Sequence, residues 1–283
     1  MDRLAGEELD ARLRAFLAED VGRRDVTSEL TVSAGAGARG EILAKSECVV
    51  SGLPVARRVF ELLEPALRWD GETPAGTRVA AGSCLAYLSG SARAILTAER
   101  VALNLLQRMC GIATETRRFV QAVDGTPCKI LDTRKTAPGL RPFDRQAVRD
   151  GGGTNHRYDL TQMILIKDNH RRLAGNLARA VAGARLGAPE LAIEVEVESE
   201  DDLRDAIAAG ADQILIDNQT PETVARWCAI ARQEAKPPFI EASGNMRLDT
   251  VRTYALAGVD AVSVGALTHS VRAADVSLEL AAT

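Results

Sequence analysis

Between Asp132 and Arg172 the chain carries nine basic residues, Arg134, Lys135, Arg157 and Lys167 among them, against five acidic ones, although the whole protein has a net charge of -4. A local excess of this kind suits an anionic ligand, and a solvated basic surface has the same composition. Arginine presents a planar fork to carboxylate or phosphate, whereas lysine acts as a compact point charge, so the mixture fits a ligand carrying both kinds of anion. Gly151-Gly152-Gly153-Thr154 lies within the stretch. A triple glycine serves equally as a flexible turn or as an anion loop.

Carboxylates complete the chemical inventory. Glu194, Glu196 and Glu198 alternate with Ile193, Val195 and Val197, and Asp217-Asn218 follows another apolar run. Facing a phosphate, Glu196 and Asp217 are repulsive unless a hard cation such as Mg2+ bridges them, or unless they face ribose hydroxyls or a developing positive charge. Glu196 has a simpler alternative, a salt bridge to Lys135 or Lys167. Of the three histidines, dispersed at 156, 170 and 269, only His156 stands beside an arginine and behind the triple glycine. The five cysteines contain no CxxC pair, so a disulfide framework or a zinc site is not expected, and a reducing, cytoplasmic setting is.

These groups need a scaffold. After Gly125, short apolar segments (Ile130 to Thr133, Ile164 to Lys167, Ile193 to Glu198, Ile214 to Asn218, Phe239 to Gly244, Ala261 to Ala266) alternate with helical stretches at Arg172 to Leu186, Asp201 to Ala209, Pro221 to Ala235 and Leu248 to Ala257. Alternating strands and helices predict βαβ units around a parallel sheet, closed as a barrel. Gly210 and Gly258 fall where helix C-terminal caps would lie. The alternation in 193–198 packs the aliphatic side against outer helices and turns the glutamates toward the lumen. Polar residues gather at the strands' carboxyl ends, the edge that holds active sites in parallel α/β proteins.

The first part of the chain reads differently. Extended pieces around Ile42 to Val50 and Arg78 to Leu88, cut by glycines and prolines, predict a small α+β unit, and Ala92 to Met109 follows a helical period that Gly111 is expected to interrupt. An N-terminal helix is read from Leu4, Leu9, Leu13, Phe16 and Leu17 with Asp2, Glu7, Glu8 and Asp10 among them; no secretory signal is evident. Hydrophobic residues at 46% and charged ones at 26% are ordinary for a globular protein, and aromatics at 4% leave little for base stacking, so neither nucleic acid nor membrane is an expected partner.

In order along the chain, the motifs resemble one family. They are Asp25-Val26-Thr27-Ser28, Glu99-Arg100-Val101-Ala102-Leu103-Asn104, Gly111-Ile112-Ala113-Thr114, Leu131-Asp132-Thr133-Arg134-Lys135-Thr136 with Pro138-Gly139, Gly151 to Arg157, Leu165 to His170, Glu194 to Glu198, Leu215 to Asn218, Ser243-Gly244-Asn245 and Ser263 to Ser270. The chain is similar to quinolinate phosphoribosyltransferase, also called carboxylating nicotinate-nucleotide pyrophosphorylase. Phe143 to Gln146 depart from the pattern, and Asn245 stands where many members have glycine.

The resemblance implies an α/β fold: an N-terminal α/β sandwich over 1–112, rejoined by 269–283, and an open, incomplete α/β barrel of the type II phosphoribosyltransferase kind over 113–268. It implies transfer of the phosphoribosyl group from phosphoribosyl pyrophosphate to quinolinate with decarboxylation, giving nicotinate mononucleotide, pyrophosphate and carbon dioxide in NAD biosynthesis, with Mg2+. Carried over, Lys135, Glu196 and Asp217 form the catalytic group, the two carboxylates holding the metal. Arg134, His156, Arg157 and Lys167 surround quinolinate, Thr133 is a further substrate-binding residue, and Arg100 comes from a neighbouring subunit. Asn218 contacts phosphoribosyl pyrophosphate, and Ser243, Gly244, Asn245, Ser263, Val264 and Gly265 cradle its 5′-phosphate. A homodimer with shared active sites, or a hexamer built from dimers, is expected. Two alternatives keep the scaffold: a paralogue using another aromatic acid, and a non-catalytic anion-binding regulator, for which Lys135, Glu196 and Asp217 would be unnecessary.

Overall fold

A computed structural model describes Gly6 to Thr283; Asp2 and Leu4 of the expected N-terminal helix lie outside the described residues. The first elements are α1 (Gly6–Val21), α2 (Val26–Thr31), β1 (Gly37–Ala44), β2 (Cys48–Val49), α3 (Leu53–Leu63), β3 (Arg68–Asp70), β4 (Arg78–Val79), β5 (Cys84–Ser91) and α4 (Ala92–Ala122). The period that buries Leu9, Leu13 and Leu17 makes one face of α1 apolar. Asp25 caps α2, accepting from the Ser28 amide at 2.9 Å and from the Thr97 hydroxyl at 2.9 Å.

The later elements are β6 (Lys129–Leu131), α5 (Arg141–Asp150), β7 (Ile164–Ile166), α6 (Asp168–Ala174), α7 (Leu177–Gly187), β8 (Ile193–Val197), α8 (Glu200–Ala208), β9 (Gln213–Asp217), α9 (Pro221–Ala231), β10 (Phe239–Ser243), α10 (Val251–Leu256), β11 (Ala261–Ser263), α11 (Ala266–His269) and β12 (Val276–Ala282). Among the described residues, no helix is long and apolar enough to cross a membrane.

Two compact units result. The first comprises the described residues up to Arg117, Thr136–Gly152 and Thr268–Thr283; the second comprises Arg118–Lys135 and Gly153–Leu267. The first holds a sheet ordered β12-β1-β5-β3, in which the C-terminal strand is an edge, and a small β2-β4 ladder. Its membership also includes 136–152, beyond the expected ranges. The reason is chemical: Asp144 of α5, fully buried, accepts two hydrogen bonds from the Arg108 guanidinium of α4 at 2.7 and 2.8 Å, and Ser51 donates to Asp150 at 2.6 Å. A buried carboxylate needs such partners.

The second unit is a six-stranded parallel sheet ordered β6-β11-β10-β9-β8-β7, with β6 and β7 as its two ends, which is an open barrel. Its buried aliphatics include Ile193, Val195, Val197, Ile214, Ile216, Ile240 and Val262. One tie recurs on alternate βα units, those of β8 and β10. Asp212 accepts from the Ile193 amide at 2.9 Å and from Arg185 at 2.7 Å, and Asp260 accepts from the Ile240 amide at 2.7 Å and from Arg232 at 2.7 Å.

Three local expectations change. α4 runs through Gly111 to Ala122, because Gly111 is a packing residue: a Cβ there would overlap the Arg272 carbonyl. The single helix expected from Arg172 to Leu186 is two, divided where Gly175 takes φ +94° and Asn176 caps α7 through the Arg179 amide at 2.8 Å. α5 has no counterpart in the sequence reading. Gly210 and Gly258 do adopt positive φ, 79° and 98°, just past α8 and α10.

Candidate active site

The site grows from the carboxyl ends of the barrel strands. Beyond β6, Thr133, Arg134 and Lys135 form a loop in which the Thr133 hydroxyl accepts from the Lys135 amide at 3.1 Å, and both cationic side chains are exposed. The outer edge of β6 is taken by Thr154 from the glycine-rich loop, whose amide donates to the Ile130 carbonyl at 2.8 Å and whose carbonyl accepts from the Asp132 amide at 3.2 Å. This fixes the segment that follows. Asp132, with no exposed surface, accepts from the Asn155 side-chain amide at 2.6 Å and from the His156 backbone amide at 2.7 Å.

Alternation along β8 places its glutamates as expected: Glu194 is fully buried, Glu196 partly covered and Glu198 exposed. Glu196 forms an ion pair with Lys167, which ends β7 and caps α6. Of the partners expected for Glu196 in the salt-bridge alternative, Lys167 is the one it takes. Deeper in the lumen, His156 Nε2 lies 3.3 Å from Glu194 and 3.3 Å from Glu241 of β10. Its Nδ1 accepts from the Arg157 amide at 2.7 Å. Burial works against a charged imidazole and the two glutamates 3.3 Å away favour one, which raises the His156 pKa, while the Arg157 amide at Nδ1 opposes a proton there.

Arg157 is half-buried and donates to the Met163 carbonyl at 2.9 Å. Burial first, and then the neighbouring Arg134 charge, lowers its pKa, while Glu194 acts the other way. Arg134, Arg157, Lys167, Glu194, Glu196 and His156 therefore occupy one electrostatic neighbourhood.

A second cluster lies on β9 and β10. Asp217 accepts from the Asn218 side chain at 2.6 Å, Asn218 accepts from the Asn245 side chain at 3.1 Å, and the Asn218 amide donates to Ser243 at 3.0 Å. Asn218 and Asn245 both have positive φ, 52° and 48°. Asparagine tolerates that region better than other residues with a Cβ, which accounts for Asn245 at a position where glycine also serves. Gly244 has φ +94°, and a Cβ on it would overlap the Asn218 side chain. Ser263 ends β11 and Val264 follows it, both buried, the Val264 amide donating to Leu131 at 2.9 Å, with Gly265 next.

The pairing of Glu196 with Leu215 across β8 and β9 puts Asp217 on the same face, one step nearer the mouth. Glu196 and Asp217 are hard oxygen donors, and they fit a cation such as Mg2+ held by few carboxylates together with substrate phosphates. Arg100 is exposed on α4, in the first unit. Sequence reasoning placed Asp132 at this strand edge without giving it a role, and missed Glu241 as part of the site. The alternation Ile240, Glu241, Ala242 was the available signal for Glu241, since it matches that of β8.

An open parallel α/β barrel whose mouth opposes cations to carboxylates and carries left-handed turns beside strand ends defines an enzyme built for an anionic, phosphate-bearing substrate. The model of the quinolinate phosphoribosyl transferase N-terminal domain matches residues 25–110 and that of the C-terminal domain matches residues 112–279. The chain belongs to the quinolinate phosphoribosyl transferase family. It is 41% identical over 274 residues to a probable nicotinate-nucleotide pyrophosphorylase [carboxylating] of Bacillus subtilis, covering 96% of this chain and 93% of that one. To the Mycobacterium leprae nicotinate-nucleotide pyrophosphorylase [carboxylating] it is 42% identical over 267 residues, covering 90% and 91%. The crystal structure of NadC from Streptococcus pyogenes superposes with a TM-score of 0.92 at 38% identity, covering 98% of this chain and 97% of that one.

Proposed function

We propose that the chain transfers the phosphoribosyl group of phosphoribosyl pyrophosphate to quinolinate, releasing pyrophosphate and carbon dioxide and forming nicotinate mononucleotide for NAD biosynthesis. The observation that carries this reading is the gathering of Arg134, Arg157 and Lys167 opposite Glu196 and Asp217 at one strand edge. Quinolinate carries two carboxylates on a ring, and several cations in one pocket suit it. Thr133 and His156 belong to the same pocket wall.

Loss of pyrophosphate leaves positive character on the anomeric carbon, which the Glu196 carboxylate stabilises while Lys135 balances the departing anion. The pyridine nitrogen bonds to the anomeric carbon as the pyrophosphate oxygen departs; its positive charge then stabilises the electron pair left on the adjacent ring carbon when the carboxylate leaves as carbon dioxide, and that carbon takes a proton from water. Glu196 and Asp217 would hold Mg2+, which supplies charge neutralisation to the pyrophosphate. Asn218 contacts phosphoribosyl pyrophosphate, and the segments Ser243-Gly244-Asn245 and Ser263-Val264-Gly265 cradle its 5′-phosphate, the Asn218 and Val264 amides being engaged by Ser243 and Leu131. Arg100, exposed on α4, completes the site of a second subunit in a cytoplasmic homodimer. Incubation with quinolinate, phosphoribosyl pyrophosphate and Mg2+ tests the reading: nicotinate mononucleotide forms, and excess chelator stops it. Full activity in chelator would remove the metal from the account.

A further inference from the structure

The Glu194–His156–Glu241 cluster is the densest group of buried charge in the second unit, and the reaction as written uses neither glutamate. Glu194 is fully buried and Glu241 is 1% exposed. Both Glu194 carboxylate oxygens and Glu241 Oε1 lack a hydrogen-bond partner among the described residues. The glutamates come from strands separated by β9, so they face one another across the lumen, and His156 is the group 3.3 Å from each. The Nδ1 contact with the Arg157 amide requires a ring whose proton sits on Nε2, and that N–H is what lies between two buried carboxyl groups that would otherwise repel each other.

The histidine also connects outward. Its backbone amide is held by Asp132 and its Nδ1 holds the Arg157 amide, while the Arg157 guanidinium is tied to Met163. Turning the ring over would break the Nδ1 contact and the Nε2 contacts together. A carboxylate on one side of the ring is thereby linked to the backbone of an arginine on the other.

We infer that Glu241 is a positioning residue for the pyridine-dicarboxylate pocket: with Glu194 it fixes the His156 ring, and the ring fixes the Arg157 backbone. This rests on the quinolinate reading for the identity of the ligand, though the fixing of His156 does not. Glu241 touches no substrate in this scheme and acts through two other residues. The neighbouring Asp132 sets the height of the same loop and leaves the ring's rotation to the glutamates.

The test compares wild type with Glu241→Gln and Glu241→Asp, using protein labelled with 15N in the histidine rings and steady-state kinetics on both substrates. In Glu241→Gln the His156 ring signals should move, and the quinolinate KM should rise about tenfold or more while the phosphoribosyl pyrophosphate KM changes less than about twofold. Glu241→Asp should recover part of both effects. Unchanged His156 signals, or equal rises in both KM values, would overturn the proposal. If Glu241→Gln does not fold, Glu241→Asp and the wild-type spectrum decide: a His156 Nε2–H that exchanges slowly supports the fixed ring, and a rapidly exchanging one refutes it. A stoichiometric transition metal on purified wild type, whose removal shifts the His156 signals, would also overturn it by making the cluster a metal site. Should wild type make no product from quinolinate, the functional reading falls, while the ring measurements still judge the fixing of His156.

Discussion

Lys167, at the end of β7, and Glu196, on the neighbouring β8, form an ion pair at the mouth of the barrel, although the proposed reaction assigns them to different substrates. Lys167 is still substantially exposed, with 45% of its side-chain surface open, so the pair can separate at modest cost when an anion arrives.

Glu196→Gln should therefore split binding from turnover. Removing the carboxylate frees Lys167, so quinolinate affinity should hold or improve, while kcat falls on the order of a hundredfold with the loss of the group facing the developing charge. Titration calorimetry with quinolinate and steady-state assays measure the two separately. A parallel loss of quinolinate affinity would place Glu196 in the quinolinate pocket instead.

Gly111→Ala tests the packing account of α4. On helix propensity alone alanine would stabilise the protein by roughly 1 kcal/mol. Because the added Cβ meets the Arg272 carbonyl, a backbone atom that cannot swing away, the substitution should instead cost on the order of 1–3 kcal/mol. Urea denaturation gives the sign directly, and a stabilised variant would contradict the close approach.

Asp212 links stability to pH. Burial acts to raise its pKa, but the Ile193 amide and Arg185 outweigh that and hold it below the usual carboxylate range. The unfolded chain binds the proton at higher pH than the folded one, so the stabilisation is complete above the unfolded value of about 4 and is lost as pH falls through the folded value. Asp212→Asn should cost about 1–2 kcal/mol at neutral pH, and its deficit should shrink in acid. Urea midpoints for both proteins across the acid range check this; a deficit that does not vary with pH would contradict the assignment.

Strand positions were legible because Ile193, Val195 and Val197 alternate with glutamates and Ile214 to Ile216 is an apolar run that ends in Asp217, and the lumenal direction of Glu194 and Glu196 followed from a period of two. The cationic loop after β6 was legible for the same reason. Other features depend on tertiary contact. Gly111 reads as a helix breaker until Arg272 is seen against it, and Asp144 in α5 reads as solvated until Arg108 is found beneath it. Glu241 looked like one more strand residue because its partner, His156, lies 85 positions away in sequence and 3.3 Å away in space. The Asp25-Val26-Thr27-Ser28 motif, carried by resemblance, has a structural task as the cap of α2.

The central claim is decarboxylating transfer to quinolinate, and the most direct measurement follows carbon dioxide from quinolinate labelled in its 2-carboxylate together with pyrophosphate in the same reaction. Equal amounts of the two, appearing only when phosphoribosyl pyrophosphate is present, and no pyrophosphate released when nicotinate replaces quinolinate, are the predicted result. Pyrophosphate released with nicotinate, or with quinolinate but without labelled carbon dioxide, would contradict it.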